Sequence, residues 1–233
     1  MDILISFYAN ILEIYEMFLQ FYPRFLDGLK TTLFLTIVSC SLGTVFGTFL
    51  SLGKIYGNKF ISRVITLFIA LIRGTPLLVQ LFIIYYGLPP YGIRLTAIQA
   101  AILSFVINSG VYQAEYLRGS IQSVSSGQLK AALSLGMSKW QGIFHIVLPQ
   151  ALRRVIPAWS NEFIYMIKYS SLAYVIGARE LMTEARLIAN RNFQFFQIYL
   201  IAAIIYLVVI VIFAYLFNKL EKKVAIPGFD LER

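Results

Sequence analysis

The chain has 233 residues, of which 59% are hydrophobic and only 13% charged, whereas soluble globular domains carry about 25% charged residues. That composition excludes a water-soluble domain. The formal charge of +9 gathers at the ends of apolar segments, which argues against a nucleic-acid-binding face. A single cysteine, Cys40, and a single histidine, His145, leave no intrachain disulfide and no ligand set at metal spacing. With no glycine-rich phosphate loop or nucleophile elbow, no catalytic residue, metal ligand or bound cofactor is assigned to this chain.

Residues 1–22 are aromatic and apolar, with Asp2, Glu13 and Glu16 as their only charges. Without a basic residue or a small-residue cleavage site they read as an interfacial amphipathic helix rather than a signal peptide, and Pro23 is expected to end it. Four windows, 31–53, 74–93, 95–114 and 192–218, contain no Asp, Glu, Lys or Arg. A fifth, 154–178, is interrupted by Glu162 and Lys168. The spacing predicts an all-α integral membrane protein with five spanning helices, at about 31–53, 60–88, 95–118, 150–170 and 194–218. A connection at 119–149 and a tail at 221–233 complete the reading. The first span carries Gly43, Gly47 and Ser51 at intervals of four, a row that lets helices pack closely in lipid. In the second, Pro76 removes a backbone hydrogen bond and is expected to kink the helix.

Basic residues crowd three connections: Lys54, Lys59 and Arg63; Lys130, Lys139, Arg153 and Arg154; and Lys219, Lys222 and Lys223. Even numbers of spans separate them, so all three fall on one side, the cytoplasm by the positive-inside rule. The N-terminus is then outside and the C-terminus in the cytoplasm.

The middle connection holds Gly127-Gln128-Leu129-Lys130-Ala131-Ala132-Leu133-Ser134-Leu135-Gly136, followed by Ile146-Val147-Leu148-Pro149. As a helix it carries Leu129, Ala132, Leu133 and Gly136 along one stripe. It is too short to span a bilayer and is shaped to plug a partner's groove. Gly136 suits a C-cap, and Pro149 is placed to open the next helix.

This stretch resembles the cytoplasmic EAA loop of permease subunits of binding-protein-dependent ABC importers: Glu-Ala-Ala, three residues, Gly, nine residues, Ile, one residue, Leu-Pro. Ala131, Ala132, Gly136, Ile146, Leu148 and Pro149 stand on the matching positions, and Lys130 replaces the Glu. Residues 73–80 (Arg-Gly-Thr-Pro-Leu-Leu-Val-Gln), 115–121 (Glu-Tyr-Leu-Arg-Gly-Ser-Ile) and 168–172 (Lys-Tyr-Ser-Ser-Leu) are similar to motifs of the polar amino acid subfamily. The resemblance covers residues 28–220. It implies a type I importer fold in a bacterial inner membrane and a second permease subunit, identical or related. It also implies two cytoplasmic ATPase subunits carrying ATP and Mg, and an extracytoplasmic amino-acid-binding protein. Leu129, Lys130, Ala131, Ala132, Leu133 and Gly136 would then dock an ATPase.

Charges inside the membrane are costly, so each needs a reason. At 1.5 Å per residue, Asn108 and Glu162 each lie about 18 Å from the membrane surface at which their helix enters, near the midplane, with Arg73 at comparable depth. Glu162 calls for a cationic cargo such as an arginine or lysine side chain if no protein cation neutralises it. Asn161, Tyr165, Asn108 and Ser109 are in position to bind the same ligand. Glu115 and Arg118, three apart and nearer the cytoplasm, suit a local ion pair. Arg73, Pro76 and Lys168 are assigned to structure or gating. The function expected is import of a polar, basic amino acid by alternating access. Glutamine or glutamate is the alternative cargo, and a passive channel subunit the alternative class.

Overall fold

The computed structural model describes residues 2–224, with side chains from residue 12 onward and Tyr8 before it. Most of the tail, 225–233, therefore lies outside the described residues. Every described element is helical: α1 (Asp2–Tyr56), α2 (Lys59–Arg73), α3 (Leu77–Gly87), a 3₁₀ turn (Pro89–Tyr91), α4 (Ala97–Ser123), α5 (Ser126–Ser134), α6 (Lys139–Gly142), a π-helical segment (Ile143–Val147), α7 (Leu148–Tyr169), a 3₁₀ segment (Ser170–Ile176), α8 (Leu181–Asn192) and α9 (Phe195–Val224).

The expected end at Pro23 is not there. Pro23 lies inside α1, which at 1.5 Å per residue runs for about 80 Å, far beyond a 30 Å hydrocarbon core. Tertiary packing overrides the lost backbone bond: Met17 and Phe25 are buried against Leu181, Ala185 and Ile188 of α8 and Ile198 and Ile201 of α9. Arg24 donates to Glu184 from both Nε (3.0 Å) and Nη2 (2.6 Å). Gly28 has its backbone against α8; a Cβ there would stand 2.9 Å from Leu181 Cα.

The most extensive interface joins α1 to α4, and the small-residue row builds it. A Cβ on Gly43 would lie 3.2 Å from the Gly110 nitrogen, and one on Gly47 only 2.5 Å from the Gly110 carbonyl oxygen. The central core gathers Leu35, Leu81, Phe105, Phe163, Met166 and Ile167. Beside it Trp159, Phe163, Phe213 and Phe217 stack α7 onto α9 with ring centroids 5.1–6.0 Å apart.

The second span is broken rather than kinked. α2 and α3 meet at 100° across Gly74, Thr75 and Pro76. Gly74 closes α2 by bonding back to the Ala70 carbonyl, and Pro76, in extended backbone, opens α3. Among the described residues, three helices are long and apolar enough to cross a membrane, Leu12–Tyr56, Ala97–Ser123 and Phe195–Val224, and four if the bent pair counts as one. α7 has the length, 22 residues, but Arg153, Arg154, Glu162 and Lys168 make it too polar to count on composition.

Candidate translocation site and coupling surface

Glu162 is the centre of the site. It is 5% exposed, on the side of α7 that meets α4. Tyr116 of α4 donates its hydroxyl to Glu162 Oε2 at 3.5 Å, and Ser109, fully buried two turns earlier on the same face of α4, neighbours the same carboxyl. The five ion pairs within 4.0 Å among the described residues do not include Glu162. In particular, Arg73 does not neutralise it. Its guanidinium stands 5.3 Å over the ring of Tyr112, the residue one turn from Tyr116. Arg73, Tyr112, Tyr116 and Glu162 thus form a continuous path from the break between α2 and α3 to the middle of α7.

The other expected residues divide. Asn161 and Tyr165 are on the exposed side of α7, directed away from this chain's own core. Tyr165 stacks on Tyr169 (centroids 6.1 Å) and carries the Lys168 ammonium 4.2 Å from its ring centre. The strip of Asn161, Tyr165, Lys168 and Tyr169 is too polar to face lipid. Asn108 is diverted from Glu162: its Nδ2 donates to Gln80 Oε1 at 3.1 Å. Gln80 Nε2 in turn donates to the Ile72 carbonyl (2.7 Å) and to Thr75 O (2.9 Å), satisfying carbonyls that the break leaves without helical partners. Asn108 and Gln80 therefore act as a clasp on the α2–α3 break. Tyr112, Tyr116 and Gln80 escaped the sequence reading because it searched for charges; a scan for amides and tyrosines inside the predicted spans 60–88 and 95–118 would have found them.

Toward the C-terminal end of α4, Arg118 reaches Glu115 at 3.0 Å, the expected pair, and Lys54 of α1 adds a second at 2.7 Å. Glu115 so ties α4 to α1 as well as to its own turn.

The 127–136 stretch folds as α5 and ends in a Schellman motif. Gly136 adopts φ +82° and donates to the Leu133 carbonyl, while Met137 donates to that of Ala132. The stripe read from the sequence faces two ways. Ala132 is buried and Leu129 half-buried, against Gly142 and a cluster of Leu117, Ile121, Val124, Ile143, Val147 and Leu148. Leu133 (44% exposed) and Leu135 (85% exposed) point outward, with Lys130 and Ala131 exposed beside them. α5 is thus anchored on one side and open on the other. Pro149 falls at the first turn of α7 as expected, but the helix is continuous behind it. The π-helical segment, where Leu148 donates to Ile143, widens the turn next to the missing N–H. Arg154 Nη1 donates to the Ser123 carbonyl at 2.5 Å, fixing the base of α7 to the end of α4, one turn before α5.

A multi-pass helical protein with a sharply bent apolar helix pair, a buried carboxylate between two helices and a short helix anchored on one side and open on the other has the make-up of a membrane permease. The comparisons give its family. Residues 43–226 match the model of the binding-protein-dependent transport system inner membrane component, and the chain belongs to that family. A probable amino-acid ABC transporter permease protein, YckA of Bacillus subtilis, is 40% identical over 207 residues, covering 89% of this chain and 92% of its own. The glutamine transport system permease protein GlnP of Escherichia coli is 35% identical over 206 residues (88% and 94%). The crystal structure of an amino acid ABC transporter with histidines superposes with a TM-score of 0.82 at 39% identity (89% and 97%). The chain is accordingly a permease subunit of the amino acid branch of these ABC transporters, as its motifs implied.

Proposed function

We propose that the chain is one of two permease subunits of an ATP-driven importer of basic amino acids in a bacterial inner membrane. α7 is read as the fourth of five spans, with the N-terminus outside and the C-terminus in the cytoplasm, because that arrangement puts the three basic clusters and α5 on the cytoplasmic side. The exposed edge of α5 docks one of two ATPase subunits, which hold the ATP and Mg, and the extracytoplasmic binding protein delivers cargo at the opposite end. ATP-driven closure of the ATPases moves α5. Its inward edge is packed into the base of α4 and α7, so the motion passes to the helices bearing Glu162 and opens the site alternately to either side.

The observation that carries the cargo assignment is Glu162 itself: a buried carboxyl with a tyrosine and a serine as neighbours and no cation within ion-pair reach. A buried charge without a partner is strongly unfavourable, and an arginine, lysine or histidine side chain supplies the missing one. The Tyr112 ring, which holds the Arg73 guanidinium at 5.3 Å, shows that a cation–π contact suits the path leading to Glu162. Glutamine is the second reading, favoured by the 35% identity to a glutamine permease; Glu162 would then accept from a cargo amide or act structurally.

The test is purification of the chain with its ATPase and reconstitution in liposomes. Copurification, with arginine uptake only in the presence of ATP and the binding protein, supports the importer. Flux that persists without nucleotide identifies a channel and overturns it.

A further inference from the structure

A directional hydrogen-bond chain runs behind Glu162. Trp159 Nε1 donates to Thr44 Oγ1 at 2.8 Å, and Thr44 Oγ1 stands 2.6 Å from Gln113 Oε1. Gln113 Nε2 donates to Ser109 Oγ at 2.8 Å and to the Cys40 carbonyl at 3.2 Å. Ser109 then faces Glu162. Gln113 and Glu162 are each 5% exposed and Ser109 fully buried.

The chemistry of the members fixes the direction. An indole N–H can only donate, and a backbone carbonyl can only accept. Because Cys40 O accepts, the NH₂ of Gln113 must face it, so Oε1 faces Thr44, whose single hydroxyl proton lies between Gln113 Oε1 at 2.6 Å and the Cys40 carbonyl at 2.8 Å. Ser109 is filled by Nε2–H, and its own proton is free to donate. Two acceptors lie within its range: the Cys40 thiol, which also neighbours Ser109, and the Glu162 carboxylate, which is much the stronger. The Cys40 carbonyl draws off one Gln113 N–H and competes for the Thr44 proton, but the other Gln113 N–H fills Ser109 and leaves that hydroxyl's proton for Glu162.

We infer that Gln113, braced by Thr44 and Trp159, is a positioning residue that turns the Ser109 hydroxyl onto Glu162 and so holds the carboxylate ready for a cationic cargo. The inference rests on the proposed substrate role of Glu162. It implies that selectivity for basic over neutral amino acids is set partly at the α1–α4 crossing, by residues that touch no cargo.

The experiment is equilibrium binding of radiolabelled arginine and glutamine to the permease–ATPase complex in nanodiscs without the binding protein. Wild type is compared with Ser109→Ala, Gln113→Met, the double variant and Glu162→Gln. The expected result is an arginine-to-glutamine affinity ratio about tenfold lower in each single variant, with the Ser109/Gln113 double variant no worse than either of its singles. Where Gln113→Met fails to assemble, Ser109→Ala makes the same test alone: it removes only the hydroxyl and adds no charge. Equal weakening of both ligands, or additive losses in the double variant, overturns the relay. A lower ratio in Glu162→Gln alongside an unchanged ratio in the Gln113 and Ser109 variants removes the relay only. An unchanged ratio in Glu162→Gln removes the cargo assignment and the relay together.

Discussion

The α1–α4 crossing permits a comparison in which one substitution, on one helix, has two different costs. Gly47→Ala places a methyl 2.5 Å from the Gly110 carbonyl oxygen, 3.0 Å from the Ala114 nitrogen and 3.2 Å from Gln113 Cβ. Two of those three atoms are backbone of a packed helix and cannot swing aside, so the pair must separate by about 1 Å to restore van der Waals distance. Gly53→Ala, six residues along, meets the Cδ1 tip of Ile65 at 2.6 Å, and that side chain has other rotamers. Both changes gain the same helix propensity, about 1 kcal/mol, so their difference isolates the clash. Overpacking against fixed atoms costs about 1–3 kcal/mol, or about 2–12 °C in Tm for a chain of this size. Thermal unfolding of the complex in one detergent, both variants side by side, reads it. Gly47→Ala is expected to melt about 2–12 °C below Gly53→Ala, which keeps the propensity gain without the clash; equal shifts would refute the close crossing.

Three further outcomes are expected. Glu180 is fully buried and accepts from the Met182 and Thr183 N–H groups and from the Tyr206 hydroxyl at 2.9 Å. Glu180→Gln turns a donor onto some of these and should lose about 1–3 kcal/mol, read as Tm; an unchanged Tm would contradict the cap. Gly136→Ala, at φ +82° with nothing within 4 Å of its Cβ, carries only the left-handed penalty, about 1–2 kcal/mol. It should weaken ATPase recovery on copurification, and Gly136→Asn should largely restore it; loss in both would point to sterics instead. Gln80→Leu orphans the Thr75 carbonyl, leaves Ile72 O with only the long bonds from Thr75 at 3.3–3.4 Å, and should speed amide hydrogen exchange around 72–78 while leaving α9 unchanged, whereas unaltered exchange at the break would discount the clasp.

Much of this architecture was legible before any coordinates. Long uncharged windows located the apolar helices because a bilayer accepts little else. The Gly136 cap and the Glu115–Arg118 pair were readable because both are local geometry. What was missed is non-local. Pro23 looked like a terminator, but its neighbours Phe25 and Gly28 are bound to α8, about 150 residues away in sequence, and that packing outweighs one lost backbone bond. Pro76 looked like a kink, but with Gly74 next to it and Gln80 satisfying the freed carbonyls a full 100° break is sustained. Asn108 was assigned to cargo by depth alone, and depth cannot tell which partner an amide faces. The stripe on α5 is divided in use, since Leu129 and Ala132 serve the chain's own base while Leu133 is left outside. Gln113, Thr44 and Trp159 carry no charge, so a search for intramembrane charges passed over the relay that points at the one it found.

The central claim is that an unneutralised Glu162 selects the cargo. Its most direct test is ATPase activity of the reconstituted complex with its binding protein, titrated with arginine, lysine, histidine, glutamine and glutamate in wild type and Glu162→Gln. The account requires stimulation by the basic amino acids alone, and its loss in Glu162→Gln with assembly intact. Equal stimulation of wild type by glutamine, or a Glu162→Gln complex that still answers to arginine, would contradict it and leave selection to the binding protein.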